Sequence, residues 1–281
     1  MEILRYLPKS WISYFVGKLA HIPLPSFLSK PIILWFVNRY KVDLSEVKNE
    51  LSSFRSIGQF FTRELKSGVR LIESEPVSPA DSFLRTAGVV PEDGVLTQIK
   101  SLTYSTGALL DSDQDAQLFN QGYFFNFYLA PKDYHRVHSP VSGTVTKVTH
   151  IPGALWPVND WSLYSIKNLF CVNERVVTYI QTDIGLVAVV MVGATNVGKI
   201  SLSFCNIKTN TSPWSRKLKQ EIEFSQNNAP KLSISDHLGT FHLGSTVIVL
   251  FSSGYVNNLT PEEMNFTARS INFGQTLRIM D

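Results

Sequence analysis

Apolar residues recur at Trp11, Phe15 and Leu19, with Ile12 and Val16 alongside, a spacing that places them on one helical face interrupted by Lys9 and Lys18. A second stretch, Pro-Ile-Ile-Leu-Trp-Phe-Val at 31–37, is apolar on every side and ends in Asn38-Arg39-Tyr40-Lys41; Pro31 suits a helix first turn. A third helix is predicted from Asp43 or Ser45, both good N-caps, toward Phe60-Phe61-Thr62-Arg63-Glu64-Leu65. From about residue 76 the pattern changes to β-branched and aromatic runs broken by Gly, Pro, Asn and Ser, which predicts strands over 123–130, 143–150, 175–181, 186–192, 199–204, 239–243 and 246–251. Links as short as Asp183-Ile184-Gly185 favour antiparallel hairpins over helical crossovers. The polar stretch 224–230 reads as a surface loop. The fold class is therefore α+β: N-terminal amphipathic helices over 1–70, then a predominantly antiparallel β domain over 71–281.

With 281 residues, 44% hydrophobic and 17% charged, the chain can bury a core, which excludes disorder over most of its length. A formal charge of +3 is too small to indicate nucleic acid. The charge is uneven, however: residues 1–70 carry +6 and residues 71–281 carry −3. The longest apolar run, 186–192, has seven residues, too few to span a bilayer, so no transmembrane helix is expected. Aromatic helices edged with Lys and Arg suit the interface of an anionic membrane, with Trp11, Phe15, Trp35 and Phe36 as the side chains to insert; packing on the rest of the protein is the other use of the same stripes. Cys171 and Cys205 form no disulfide framework or C-x-x-C pair, which favours a reducing compartment, and the N-terminus lacks a signal-peptide pattern.

Three constellations carry candidate chemistry. His135 and His138 stand three residues apart in Asp133-Tyr134-His135-Arg136-Val137-His138-Ser139-Pro140; further zinc ligands are missing at a suggestive spacing, so proton transfer is the better use and no metal is expected. In Leu243-Gly244-Ser245-Thr246, glycine leaves the preceding carbonyl sterically open to attack by the Ser245 hydroxyl, turning an amide into an ester whose β-elimination leads to a pyruvoyl terminus; the plain alternative is a turn entering a buried strand. Asp81 and Asp93 are both placed to orient a histidine, and each also reads as a turn aspartate. The acidic run at 111–115 lacks the Gly and closing Glu of a calcium loop.

Together with Ser78-Pro79-Ala80-Asp81, Tyr104-Ser105, Asn173-Glu174-Arg175 and Val192-Gly193-Ala194-Thr195-Asn196-Val197-Gly198, these segments resemble the phosphatidylserine decarboxylase family in order and spacing, most closely its bacterial membrane-associated branch. The resemblance implies a proenzyme that cuts itself between Gly244 and Ser245 into a β chain (1–244) and an α chain (245–281), with Ser245 becoming a pyruvoyl group. It assigns Asp81, His138 and Ser245 as the processing triad and prefers Asp81 to Asp93; His135 is the candidate for the substrate carboxylate or a proton. The pyruvoyl group would form a Schiff base with phosphatidylserine and release CO2 and phosphatidylethanolamine, with neither pyridoxal phosphate nor metal. The implied partners are the lipid in an anionic membrane and the two chains of one precursor; a homodimer is compatible, and the implied location is peripheral, on the cytoplasmic face of a bacterial inner membrane. Ser82 and Ser101 stand where the family commonly has glycine. A non-catalytic carrier-like β module and a pyruvoyl decarboxylase of soluble amino acids are the alternative readings.

Overall fold

The computed structural model describes residues 9–99, 102–195, 199–210, 218–243, 245–255 and 268–277, with the backbone alone at 9, 10, 99 and 245. It is a mixed α+β fold whose helices lie mostly toward the N-terminus. Helix α1 (Lys9–Ala20) covers the first predicted stripe. Helix α2 (Ser26–Tyr40) starts earlier than predicted, so Pro31 lies inside it, not in its first turn; Lys41 ends the helix in the left-handed conformation at φ 58°. The third predicted helix is mostly absent. Asp43 instead closes a turn by accepting from Ser45, a single 3-10 turn forms at Leu51–Ser53, and the α-helical part is α3 (Ile57–Phe61), capped by Ser56, whose hydroxyl accepts from the Gln59 N–H. Phe36 and Val37 from α2 pack with Phe54, Phe60 and Phe61 into a small core of their own. Phe36 is therefore not an insertion residue: it is 7% exposed and meets the rings of Phe60 and Phe61 edge-on.

The β strands are β1 (Ser82–Val89), β2 (Val95–Ile99), β3 (Leu102–Ser105), β4 (Tyr123–Leu129), β5 (Arg136–His138), β6 (Gly143–Ile151), β7 (Arg175–Gln181), β8 (Leu186–Val192), β9 (Ile200–Leu202), β10 (Gln220–Glu223), β11 (Lys231–Leu232), β12 (His237–Phe241), β13 (Ser245–Phe251) and β14 (Arg269–Ile271). Nine of them make one antiparallel sheet in the order β10-β6-β7-β8-β13-β4-β1-β14, with β11 also on β6. A three-stranded sheet, β5-β12-β9, packs on it: Val137, Leu238 and Phe241 share a core with Phe125, Phe127, Val189 and Val247. The opposite face of the large sheet, with Phe124, Val177, Val190 and Ile248, is covered by α4 (Thr106–Leu110), α5 (Asp113–Gln117), α6 (Asp160–Ser165), α7 (Leu169–Val172) and the β2–β3 hairpin. Burial on both faces explains why β8 and β13 read as continuous apolar runs instead of alternating ones.

The acidic run at 111–115 is partly paired: Asp115 binds Lys147 and accepts from Tyr179, and Asp111 meets Lys219. Asn173 and Arg175 are structural. The Asn173 amide bridges Trp156 and Gly193, and the Arg175 guanidinium donates to the carbonyls of Ala108, Leu109, Cys171 and Asn173.

Candidate active site

The segment 133–138 folds as a turn running into β5, which pairs with β12. The Asp133 carboxylate closes that turn by accepting the Ala130 N–H at 2.7 Å, and burial pushes its pKa up to about 6. His135 is fully buried, with its ring 4.0 Å from that of Phe61. Its Nδ1 lies 2.8 Å from the Asp133 carbonyl. A carbonyl only accepts, so Nδ1 carries the proton and Nε2 a lone pair, which has no partner among the described residues. Burial holds the pKa of His135 down to about 3, keeping the ring neutral.

His138 follows the same logic. Nδ1 donates to the Ser235 carbonyl at 2.7 Å, and Nε2 accepts from the Tyr134 hydroxyl at 3.3 Å. The ring stacks on Phe273 at 3.9 Å, and burial lowers its pKa to about 4. Both histidines thus keep Nε2 unprotonated, unpartnered among the described residues in His135 and accepting from Tyr134 in His138, and in each a backbone carbonyl sets the tautomer.

Asp81 lies in the same neighbourhood, since the His138 N–H donates to the Pro79 carbonyl at 2.8 Å. Its carboxylate does not bond the imidazole. Arg70 holds it through two bonds of 2.6 and 2.9 Å, and the Phe273 N–H donates to it at 2.9 Å. Arg70 also forks onto Glu46 at 2.7 and 2.8 Å. Phe273 links the two: Asp81 binds its backbone, and its ring covers the imidazole. Asp93, by contrast, is exposed and accepts from the Val95 N–H in an ordinary turn.

Gly244 lies outside the described residues, and of Ser245 only the backbone is described. That backbone opens β13, facing Leu129 across the β4–β13 pair, while β12 ends at Phe241 in the other sheet. Phe241 thus closes a strand of one sheet four positions before Ser245 opens a strand of the other. Phe241 is tied to the histidine segment: its N–H donates to the His135 carbonyl at 3.0 Å. His242, the next residue, contacts Ser201 through Nε2 at 2.9 Å and faces the ring of His21.

The sequence alone did not single out Arg70, Ser235 or Phe273. Arg70 and Phe273 stand 11 and 192 residues from Asp81, and nothing local marks either as its partner. Tyr134 was visible within the His-x-x-His segment, and a role for it follows only from its contact with His138.

The family model described as phosphatidylserine decarboxylase matches residues 57–278 of the chain. A phosphatidylserine decarboxylase proenzyme of Myxococcus xanthus is 37% identical over 254 residues, covering 89% of this chain and 88% of its own length. Proenzymes of the same name from Shewanella pealeana and Shewanella loihica are 41% and 40% identical over 256 residues, with the same coverage.

Proposed function

The chain belongs to the phosphatidylserine decarboxylase family, and from that membership we propose that it cuts itself between Gly244 and Ser245 and then converts phosphatidylserine to phosphatidylethanolamine and CO2 at the group Ser245 becomes. The observation carrying this reading is the pair of neutral, buried histidines on a segment bonded to Phe241, four positions before Ser245. In the proposed processing set, His138 Nε2 takes the Ser245 hydroxyl proton. Asp81 acts through Phe273, fixing the ring that covers the imidazole.

A pyruvoyl group at residue 245 supplies a ketone for the substrate amine and a sink for the electrons left when CO2 departs. One observation suits such a group: His135 Nε2, on the segment bonded to Phe241, is a buried polar atom without a partner among the described residues and is able to take a proton. His135 cannot donate to a carboxylate while Nδ1 holds its only proton. Its proposed role is therefore proton transfer: Nε2 accepts a proton from the substrate ammonium and returns it to the α-carbon after CO2 leaves.

The lipid substrate gives the outer faces of α1 and α2 their use. Phe15, Leu19, Phe27 and Trp35 are exposed, Phe27 by 74% and Trp35 by 64%, and no helix among the described residues is long and apolar enough to cross a membrane. These side chains are proposed to enter the headgroup layer of an anionic membrane on its cytoplasmic side.

Intact mass tests the whole reading. Wild-type protein is expected as fragments 1–244 and 245–281, the latter with a blocked terminus, and to release CO2 from phosphatidylserine. His138→Ala is expected to stay a single chain of 31.6 kDa; normal cleavage of that variant removes His138 from the processing set.

A further inference from the structure

Just before the bond proposed to break, the chain touches the N-terminal helices. Leu243 packs both on the core between the sheets and on the small core built from α2 and α3. His242 is fastened to β9 and the residue before it: its N–H donates to the Lys199 carbonyl at 3.0 Å, and its Nε2 contacts the Ser201 hydroxyl at 2.9 Å. The ring of His21, the residue that follows α1, faces the His242 ring with 5.6 Å between centroids.

His21 is itself held from two sides of the chain. Its Nδ1 lies 2.8 Å from the Gly17 carbonyl of α1 and therefore carries the proton. Its ring rests on α3, because a Cβ added at Gly58 would lie 2.7 Å from Cε1, Nδ1 and Nε2 of His21, closer than such atoms approach. Alanine suits a helix interior better than glycine, and here the imidazole takes the space that alanine would need. The same short helix reaches the histidine segment, since Phe61 packs on His135 at 4.0 Å.

We propose that His21 is a positioning residue for self-cleavage: seated on Gly58, its ring meets His242 and restricts the path by which the chain enters the Gly244–Ser245 bond. The inference rests on the self-cleavage reading above. Attack of a hydroxyl on the preceding carbonyl requires the two groups to be close and aligned, and neighbouring residues that are already ordered reduce the entropy lost in reaching that geometry. His242 and Leu243, the two residues before Gly244, are ordered by β9, by the helical core and by His21.

The test follows full-length chains by pulse-chase in a cell-free translation mixture, which catches the precursor before it cleaves. His21→Ala is expected to slow the appearance of the 1–244 fragment roughly 5- to 30-fold, the rate equivalent of releasing the backbone of one residue. Gly58→Ala pushes the ring aside without removing it, so it should slow cleavage to a similar extent, and it serves alone if His21→Ala does not fold. In the double variant the space is empty and the added alanine should slow cleavage no further. His21→Phe, which keeps a ring on the glycine, should recover most of the lost rate. Urea midpoints in a Ser245→Ala background are expected to be no lower for Gly58→Ala than for the parent, which a loss of fold would not allow. Wild-type cleavage rates in the single variants, slowing that multiplies in the double variant, a His21→Phe chain as slow as His21→Ala, or a lowered midpoint for Gly58→Ala each overturn the proposal. If the wild-type chain never cleaves, the self-cleavage reading itself has failed, a result distinct from cleavage that ignores His21.

Discussion

Removing the Arg70 side chain tests the charged centre on which the placement of Asp81 depends. Arg70 and Asp81 side chains are each 10% exposed and joined by bonds of 2.6 and 2.9 Å, and Arg70 ties both to Glu46. Deleting one partner of a buried pair costs about 3–5 kcal/mol, because the other charge stays buried alone. Asp81 would keep the Phe273 N–H, and Glu46 is 33% exposed and regains water, so Arg70→Met should sit near the lower limit, about 3 kcal/mol. Asp81→Asn should cost less, because Arg70 keeps Glu46. In the double variant no unpaired charge remains at position 81, and the loss should fall short of the sum of the singles by about 2 kcal/mol. Urea unfolding of all four proteins in a Ser245→Ala background keeps the covalent chain uniform. If the losses add to within about 0.5 kcal/mol, Arg70 and Asp81 are not coupled and the geometry argued here is wrong.

Three further outcomes are expected. His135, His138 and His242 have folded-state pKa values of about 3, 4 and 3, below the ordinary 6.5, so they are neutral when folded and take up protons on unfolding. Stability should therefore be full above pH 6.5 and fall with acidification toward pH 4, by about 1.4 kcal/mol per pH unit for each histidine; urea midpoints that stay flat across this window for the uncleaved chain contradict their burial as neutral rings. Phe36→Ala should cost about 3–5 kcal/mol through the cavity it leaves, whereas Trp35→Ala should stay within about 0.5 kcal/mol yet weaken binding to anionic liposomes, and the opposite assignment in a denaturation and flotation pair reverses the inside and outside of α2. Asp93→Asn should cleave at the wild-type rate while Asp81→Asn slows, as followed by gel shift; equal slowing would return Asp93 to the processing set.

Strands β7 and β8 were legible to the residue: β8, buried on both faces, shows as an unbroken apolar run, and β7 as a β-branched and aromatic run bounded by Arg175 and Gln181, with turn residues between the two. Strand β1 was not, since Arg85, Thr86 and Gly88 break its apolar pattern and its place comes from pairing with β4 and β14. The third N-terminal helix was over-read. Of its proposed caps, Asp43 accepts from Ser45 in a turn; the short helix that does form is capped by Ser56 instead, and the segment between is shaped by packing against α2.

The chain by itself offered the candidates: a Gly-Ser junction before an apolar run, two histidines three residues apart, two acidic candidates and a positive aromatic N-terminal quarter, among which the family resemblance chose. The tertiary structure decided which atoms of that set are available. Carbonyls of Asp133 and Ser235 set the histidine tautomers, Arg70 takes the Asp81 carboxylate, and Phe36 turns inward while Trp35 turns out. Local sequence encodes the chemistry each side chain can perform. Proton placement, burial and ion pairing arise from residues tens to hundreds of positions apart, and only folding sets their distances.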